Sequence, residues 1–411
     1  MGKELGVLEP AFTIKEQACI TSPKGFKAAG IHAGIKRKRL DLGAIVCEVD
    51  ASAAAVYTVN AFQAAPIKVT QDSLGVAGKL RGVVVNSGNA NACTGQQGVM
   101  DAYAMRAKLA EQLGCPAHLV AVASTGVIGV MMPMEKVTQG IEELMPTLKE
   151  RDTSFAEAIL TTDTCTKQVE VTLEIEGKPV TIAGVAKGSG MIKPNMATML
   201  AFVTTDAVIE SEILQSLLWK TTDETFNMIT VDGDTSTNDM VLVMASGKAA
   251  HAPLDMQHAE WAKFQQAFQY VCRELAKMIA RDGEGATRLV EVVVEGADHE
   301  QEAQKIAKAV VGSSLVKTAV FGADPNWGRI LCAVGYGAPS LRPESIDVYL
   351  GQVKVVEGSV PLPFDEEKAQ VELKQEKVVI RLHLNRGHAT ATAWGCDLTY
   401  EYVRINASYR T

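Results

Sequence analysis

Residues 187–207 read KGSGMIKPNMATMLAFVTTDA, and the rest of the chain is arranged around this stretch. Its first half, Lys187 to Asn195, gathers Gly188, Ser189, Gly190, Pro194 and Asn195, residues that favour turns and permissive backbone. Its second half, Met199 to Val203, is an apolar run of the length of a buried strand. Thr198 stands on the seam between them. A self-cleaving chain places an N-terminal nucleophile at such a seam. The hydroxyl attacks the carbonyl before it, and hydrolysis of the resulting ester frees the threonine as a new chain terminus. Its α-amine, with an ordinary pKa of about 7.7–8, then acts as base for its own hydroxyl. The competing reading is structural, because a β-branched threonine at the start of a strand can serve β-propensity alone.

Working outward, 411 residues exceed the usual size of one domain, and the 47% hydrophobic fraction is that of a globular protein with a large core. A formal net charge of −8 argues against nucleic acid and anionic membrane surfaces as partners. No apolar run approaches the roughly 20 residues needed to span a bilayer. Residues 1–13, MGKELGVLEPAFT, show neither a signal-peptide core nor a transit composition. A cytoplasmic protein is expected. The eight cysteines include no CxxC and the seven histidines no HxxxH; this predicts reduced, mostly buried thiols and no metal site.

In chain order, Phe26 to Ile45 carries Lys36-Arg37-Lys38-Arg39, read either as a solvated hairpin face or as a cradle for an acidic substrate. Ala44–Val49 and Val83–Val85 read as buried strands, the latter entering the turn-rich NSGNANA. Gln97–Leu113 reads as a helix stopped by Gly114. Leu119–Ala123 is a further strand, leaving through Ser124-Thr125-Gly126-Val127-Ile128-Gly129, where a glycine-rich exit exposes backbone N–H groups as an oxyanion hole requires. It is otherwise a plain turn. Lys167–Glu176 alternates apolar and polar residues as a half-exposed strand, and Gly177-Lys178 turns it back into Val180–Val185. Beyond Thr198, a helix is expected over Glu210–Phe226. The acidic TVDGDTSTND lacks calcium-loop spacing. Asp255–Arg281 is the longest amphipathic helix, ending at a glycine-rich DGEGAT.

The stretches KGSGMIKPNMATML, NSGNANA, STGVIG, TTDT, TVDGDTSTND, DGEGAT and FGADPNWGR run along almost the whole chain. Together they resemble the ornithine acetyltransferase (glutamate N-acetyltransferase) family, which cleaves itself before the threonine of MATML. The resemblance implies cleavage between Ala197 and Thr198, giving fragments 1–197 and 198–411. It implies Thr198 as nucleophile and Thr125 with Gly126 as oxyanion hole. Substrate contacts are implied for Thr161, Lys187, Thr198, Glu284, Asn406 and the terminal Thr411. The implied substrates are N2-acetylornithine and glutamate, with acetyl-CoA as a second donor in some members and no bound cofactor. Two copies of each fragment are implied as the assembly. The implied fold is a mixed α/β layered arrangement of β-sheets flanked by helices, built jointly by both fragments. Two other readings remain open: a self-processed aminopeptidase or amidohydrolase, and an amino-acid-binding module that never cleaves.

Overall fold

A computed structural model of the chain describes residues 11–193, 199–338 and 343–408. Thr198, Ala197 and Thr411, expected to be the nucleophile, its scissile neighbour and a substrate contact, lie outside the described residues. Among those residues the strands form two mixed sheets, one of nine and one of seven. This is the mixed α/β class that the alternating patterns imply.

The larger sheet is centred on Leu42–Tyr57, a 16-residue strand. The sequence suggests a buried strand over Ala44–Val49, followed by a run of small and apolar residues from Ala51 to Phe62. The strand instead continues, and its register against Lys79–Asn89 shifts between Val46 and Ala51. A bulge absorbs the charged residues. Met240–Ala245 pairs antiparallel with this strand and parallel with Leu200–Thr205. Leu200–Thr205 in turn pairs antiparallel with Lys178–Lys187. Every residue of Leu200–Thr205 is buried, as expected of a central strand covered on both faces. Lys167–Ile175 is more buried than strict alternation predicts, because its second face is also covered; Glu170 there accepts hydrogen bonds from the Cys19 amide and the Ser22 hydroxyl.

The seven-stranded sheet, built around Leu289–Ala297, Lys377–His383 and Ala389–Cys396, belongs wholly to the part of the chain after residue 198. Trp261–Arg281 packs against strands of both sheets and joins them. Its buried stripe, including Phe264, Phe268, Val271, Leu275 and Ile279, recurs at helical spacing and lies in the core shared by both sheets. The helix begins at Trp261, not Asp255: residues 255–260 form a turn in which the Asp255 carboxylate accepts from the Gln257 and His258 amides. No described helix is long and apolar enough to cross a membrane.

Candidate active site

The edge-to-centre order of the large sheet brings distant segments to one end. Thr125 and Gly126 lie within the strand Val120–Val127. The strand runs past the expected glycine-rich exit, because its ladder continues through Ser87–Thr125 and Gly88–Gly126. Gly126 has φ +133°, and a Cβ on it would lie 2.3 Å from the Gly88 carbonyl carbon. Only glycine fits so close a backbone approach.

These residues line a cavity of about 130 Å³ with Thr161, Thr162, Lys187, Glu284 and Asn406. Each described residue with an expected site role is therefore present, and Met199 and Leu200 form part of the wall. The Lys187 ammonium donates to Thr125 Oγ1 over 3.3 Å. That bond occupies an acceptor position and leaves the Thr125 hydroxyl proton free to donate to a developing oxyanion. Glu284 and Asn406, expected to contact substrate separately, also meet each other: Asn406 Nδ2 donates to Glu284 Oε2 at 2.8 Å. The Glu284 amide donates to the Ser189 carbonyl. Gly190 leaves room for the carboxylate, since a Cβ there would approach Glu284 Cδ to 2.5 Å. Thr162 Oγ1 shares a hydrogen bond with Ser189 Oγ, so the threonine next to the expected Thr161 is also held in the wall.

The electrostatics depend on residues that the sequence did not single out. Asp163 accepts from Lys167 Nζ at 2.7 Å and from the Gly188 and Thr161 amides, and Lys187 Nζ lies 4.0 Å from its other oxygen. Burial opposes the Asp163 charge, but the Lys187 and Lys167 ammonium groups outweigh it and hold the carboxyl below its ordinary range. Lys167, fully buried, also reaches Asp282 at 2.6 Å. It thus ties Asp163 to the loop that carries Glu284. Lys187 is compensated less well, and burial pulls it below the ordinary ammonium range against the pull of Asp163. Asp232, from the acidic stretch, receives the Met191 and Ile192 amides and so fixes the loop that leaves Lys187. Among the described residues no cluster of three or more His, Cys, Asp or Glu side chains could hold a metal ion.

The basic run divides. Arg37, Lys38 and Arg39 are exposed, whereas Lys36 turns inward, donates to the Leu160 carbonyl and is lowered to about 8, chiefly by burial. Asp239 was likewise missed, and it lines the same cavity.

The sequence matches the ArgJ family over residues 27–411. It is 56% identical over 402 residues to the arginine biosynthesis bifunctional protein ArgJ of Bacillus cereus, covering 98% of both chains. It is 58% identical over 398 residues to the protein of that name from Halalkalibacterium halodurans, covering 96% of this chain and 97% of that one. The crystal structure of the arginine biosynthesis bifunctional protein argJ from Bacillus halodurans aligns at 56% identity with a TM-score of 0.51, covering 52% of this chain and 100% of that chain.

Proposed function

The chain belongs to the ArgJ family, and on that premise we propose that it is an acyltransferase that moves an acetyl group from N2-acetylornithine to glutamate through an ester on Thr198. The observation that carries this reading is the meeting in one cavity of Thr125, Gly126 and Lys187 with Glu284 and Asn406, from either side of the Ala197–Thr198 bond. An amide is a poor acyl donor, so a covalent intermediate divides one hard step into two. Thr198 Oγ attacks the acetyl carbonyl while the α-amine takes the hydroxyl proton. Thr125 and Gly126 hold the oxyanion. The C–N bond breaks, and the same proton passes to the departing ornithine amine. Glutamate then enters, its amine attacks the ester, and Thr198 is regenerated.

Both substrates carry an α-carboxylate, for which Lys187 is the partner, and Glu284 suits the cationic end of ornithine. Cleavage before Thr198 is supported by the lengths of the matched chains: the solved relative spans 52% of this chain yet is matched over its full length, and 52% of 411 is about the 214 residues of 198–411. The assembly we favour contains two copies of each fragment and works in the cytoplasm. Acetyl-CoA as a second donor to glutamate belongs to the same proposal.

The test is kinetic and covalent together. Parallel lines in initial-rate plots, a burst of ornithine from acetylornithine alone, and one acetyl group on the fragment that starts at Thr198 are expected. Thr198→Ala should stay one chain and be inactive, and Thr198→Ser should still cleave. Steady release of acetate without glutamate would make it a hydrolase. Intersecting lines with no acetylated fragment would end the ester mechanism.

A further inference from the structure

Two cations of the basic run end on the wall of the cavity. Asp41, fully buried, accepts from the Ala33 amide at 2.6 Å and from the Lys36 amide at 2.7 Å, and its carbonyl accepts from the Ser87 amide. The loop 33–41 is thereby pinned to the strand Lys79–Asn89. From this loop Lys36 Nζ donates to the Leu160 carbonyl at 2.7 Å, and Arg39 Nη1 donates to the Thr161 carbonyl at 3.3 Å. The Thr161 amide in turn donates to Asp163 at 3.0 Å. Both backbone groups of Thr161 have partners, so among the described residues its hydroxyl is the polar group left to offer the cavity that it lines. The Lys36 stem meets another part of the site. A Cβ on Gly88 would lie 2.7 Å from Lys36 Cγ, and Gly88 is the ladder partner of Gly126. Lys36 thus stands between the strand pair that carries Gly126 and the turn that carries Thr161.

We propose that Lys36 is a positioning residue for acetyl transfer: its ammonium on the Leu160 carbonyl and its stem on Gly88 set the spacing between the Gly126 strand and Thr161, and so place the Thr161 hydroxyl against the bound substrate. The proposal rests on the acetyl-transfer reading of the cavity. Lys36 acts through Thr161 and does not itself bind the substrate. Its surroundings agree with an inward, structural lysine. Burial pulls its ammonium down to about 8, opposed by Asp41 and Asp163 and assisted by Arg39 and Lys187, so the side chain belongs to the charge network behind the cavity and not to bulk solvent. Arg39 is exposed and its contact is longer, which leaves Lys36 as the principal tie. Ser87 adds a second one, donating from Oγ to the Ala158 carbonyl. The basic run is then neither a solvated face alone nor a cradle for an acidic substrate. Arg37 and Lys38 face solvent, and Lys36 braces the wall.

The experiment uses Lys36→Met, which keeps the stem and removes the ammonium. Hydrogen exchange read by mass spectrometry reports the brace without any substrate. The amides of Ile159, Leu160 and Thr161 are all hydrogen-bonded, so loosening of this turn shows as faster exchange. Peptides over residues 158–164 should exchange faster in Lys36→Met than in wild type, and those of the helix Gly95–Leu113 should be unchanged. In the kinetic arm, KM for acetylornithine and for glutamate should each rise about 10- to 100-fold, up to the cost of a misplacement of about 1 Å, with a smaller change in kcat. Thr161→Ala should do the same. The double variant Lys36→Met/Thr161→Ala should lose little more than the larger single variant, because both remove one contact. Unchanged exchange over 158–164 would overturn the brace. Additive losses, or a fall in kcat at constant KM, would overturn its action through Thr161. Lys36→Gln repeats every measurement if Lys36→Met does not fold or process. A wild-type chain that moves no acetyl group would instead refute the proposed function, and the exchange comparison would still decide the brace.

Discussion

Lys167→Met isolates the buried charge network behind the cavity. The substitution keeps an unbranched apolar stem of similar length and removes the ammonium, so lost packing is a small part of its effect. Lys167 is fully buried and makes two short charge-assisted contacts, 2.7 Å to Asp163 and 2.6 Å to Asp282. Without it, Asp163 keeps the Gly188 and Thr161 amides and a Lys187 ammonium 4.0 Å away, while Asp282 keeps the Thr164 amide and hydroxyl. Removing one partner of such a buried set costs about 3–5 kcal/mol. The remaining hydrogen bonds put the expectation at the lower end, near ~3 kcal/mol.

The pH dependence follows from Asp163. Its folded-state pKa is depressed, so in the wild type its contribution is present above the unfolded carboxylate pKa and disappears as pH falls through the folded value. In Lys167→Met, the same carboxyl is buried with less compensation and takes up a proton at higher pH. The stability deficit should therefore be largest at about pH 7.5 and smaller at about pH 5. Urea unfolding of the two proteins at both pH values measures it. A deficit below about 1 kcal/mol at the higher pH, or one that does not shrink on acidification, would refute the claim that this pair is a buried, ionised contact.

Thr125→Ala should lower kcat by about 10²–10³-fold, the cost of one lost oxyanion donor, with little change in donor KM, because the bond counts chiefly in the transition state; a change in KM alone would make Thr125 a ground-state contact. Glu284→Gln should raise the KM for acetylornithine by about 10- to 100-fold, from the ~1.5–3 kcal/mol of a hydrogen bond to a charged group, with a much smaller effect on glutamate. Equal effects on both substrates would remove Glu284 from recognition of the cation. The two fragments should co-elute in gel filtration without denaturant and separate only when it is added; separation by dilution alone would contradict the shared ladder.

What was legible in the sequence was whatever local periodicity or composition could carry. The helix Gly95–Leu113 ends at Gly114 in the left-handed conformation, as the glycine stop implied. The hairpin of Lys167–Ile175 and Lys178–Lys187 turns at Glu176–Gly177, both with positive φ, one residue before the expected Gly177-Lys178. The helix Ala65–Ala77 escaped notice because its buried face includes Thr70 and Ser73, which break the apolar pattern yet are satisfied by the Val122 and Val120 carbonyls. For Thr125, Lys187 and Glu284 it was the resemblance, not residue type alone, that pointed to the cavity they line. Asp163 and Lys167 were not legible. Their third member, Asp282, lies 115 residues beyond Lys167, a separation at which one sequence carries no pairing signal. Asp239 stands in an acidic stretch that looks solvated, and only the strand it introduces shows it to be buried.

The network also bears on how the proposed cut at Ala197–Thr198 would leave a working site. The strand Leu200–Thr205 begins just after the proposed cut and sits between Lys178–Lys187 from before it and Met240–Ala245 from after it. Met240–Ala245 is in turn bonded to Leu42–Tyr57. The halves therefore alternate within one hydrogen-bonded sheet, and cleavage of one peptide bond leaves every one of these ladders intact. The charges repeat the arrangement: Asp163, Lys167 and Lys187 precede the cut, whereas Asp239, Asp282 and Glu284 follow it. Lys167 reaches across to Asp282, next but one to Glu284, so the carboxylate that would meet the donor's cation is placed by a lysine of the other fragment. Buried pairs add little net stability over apolar packing, but an unpaired partner is costly. That asymmetry would fix register across the boundary once the proposed cleavage has opened the backbone there.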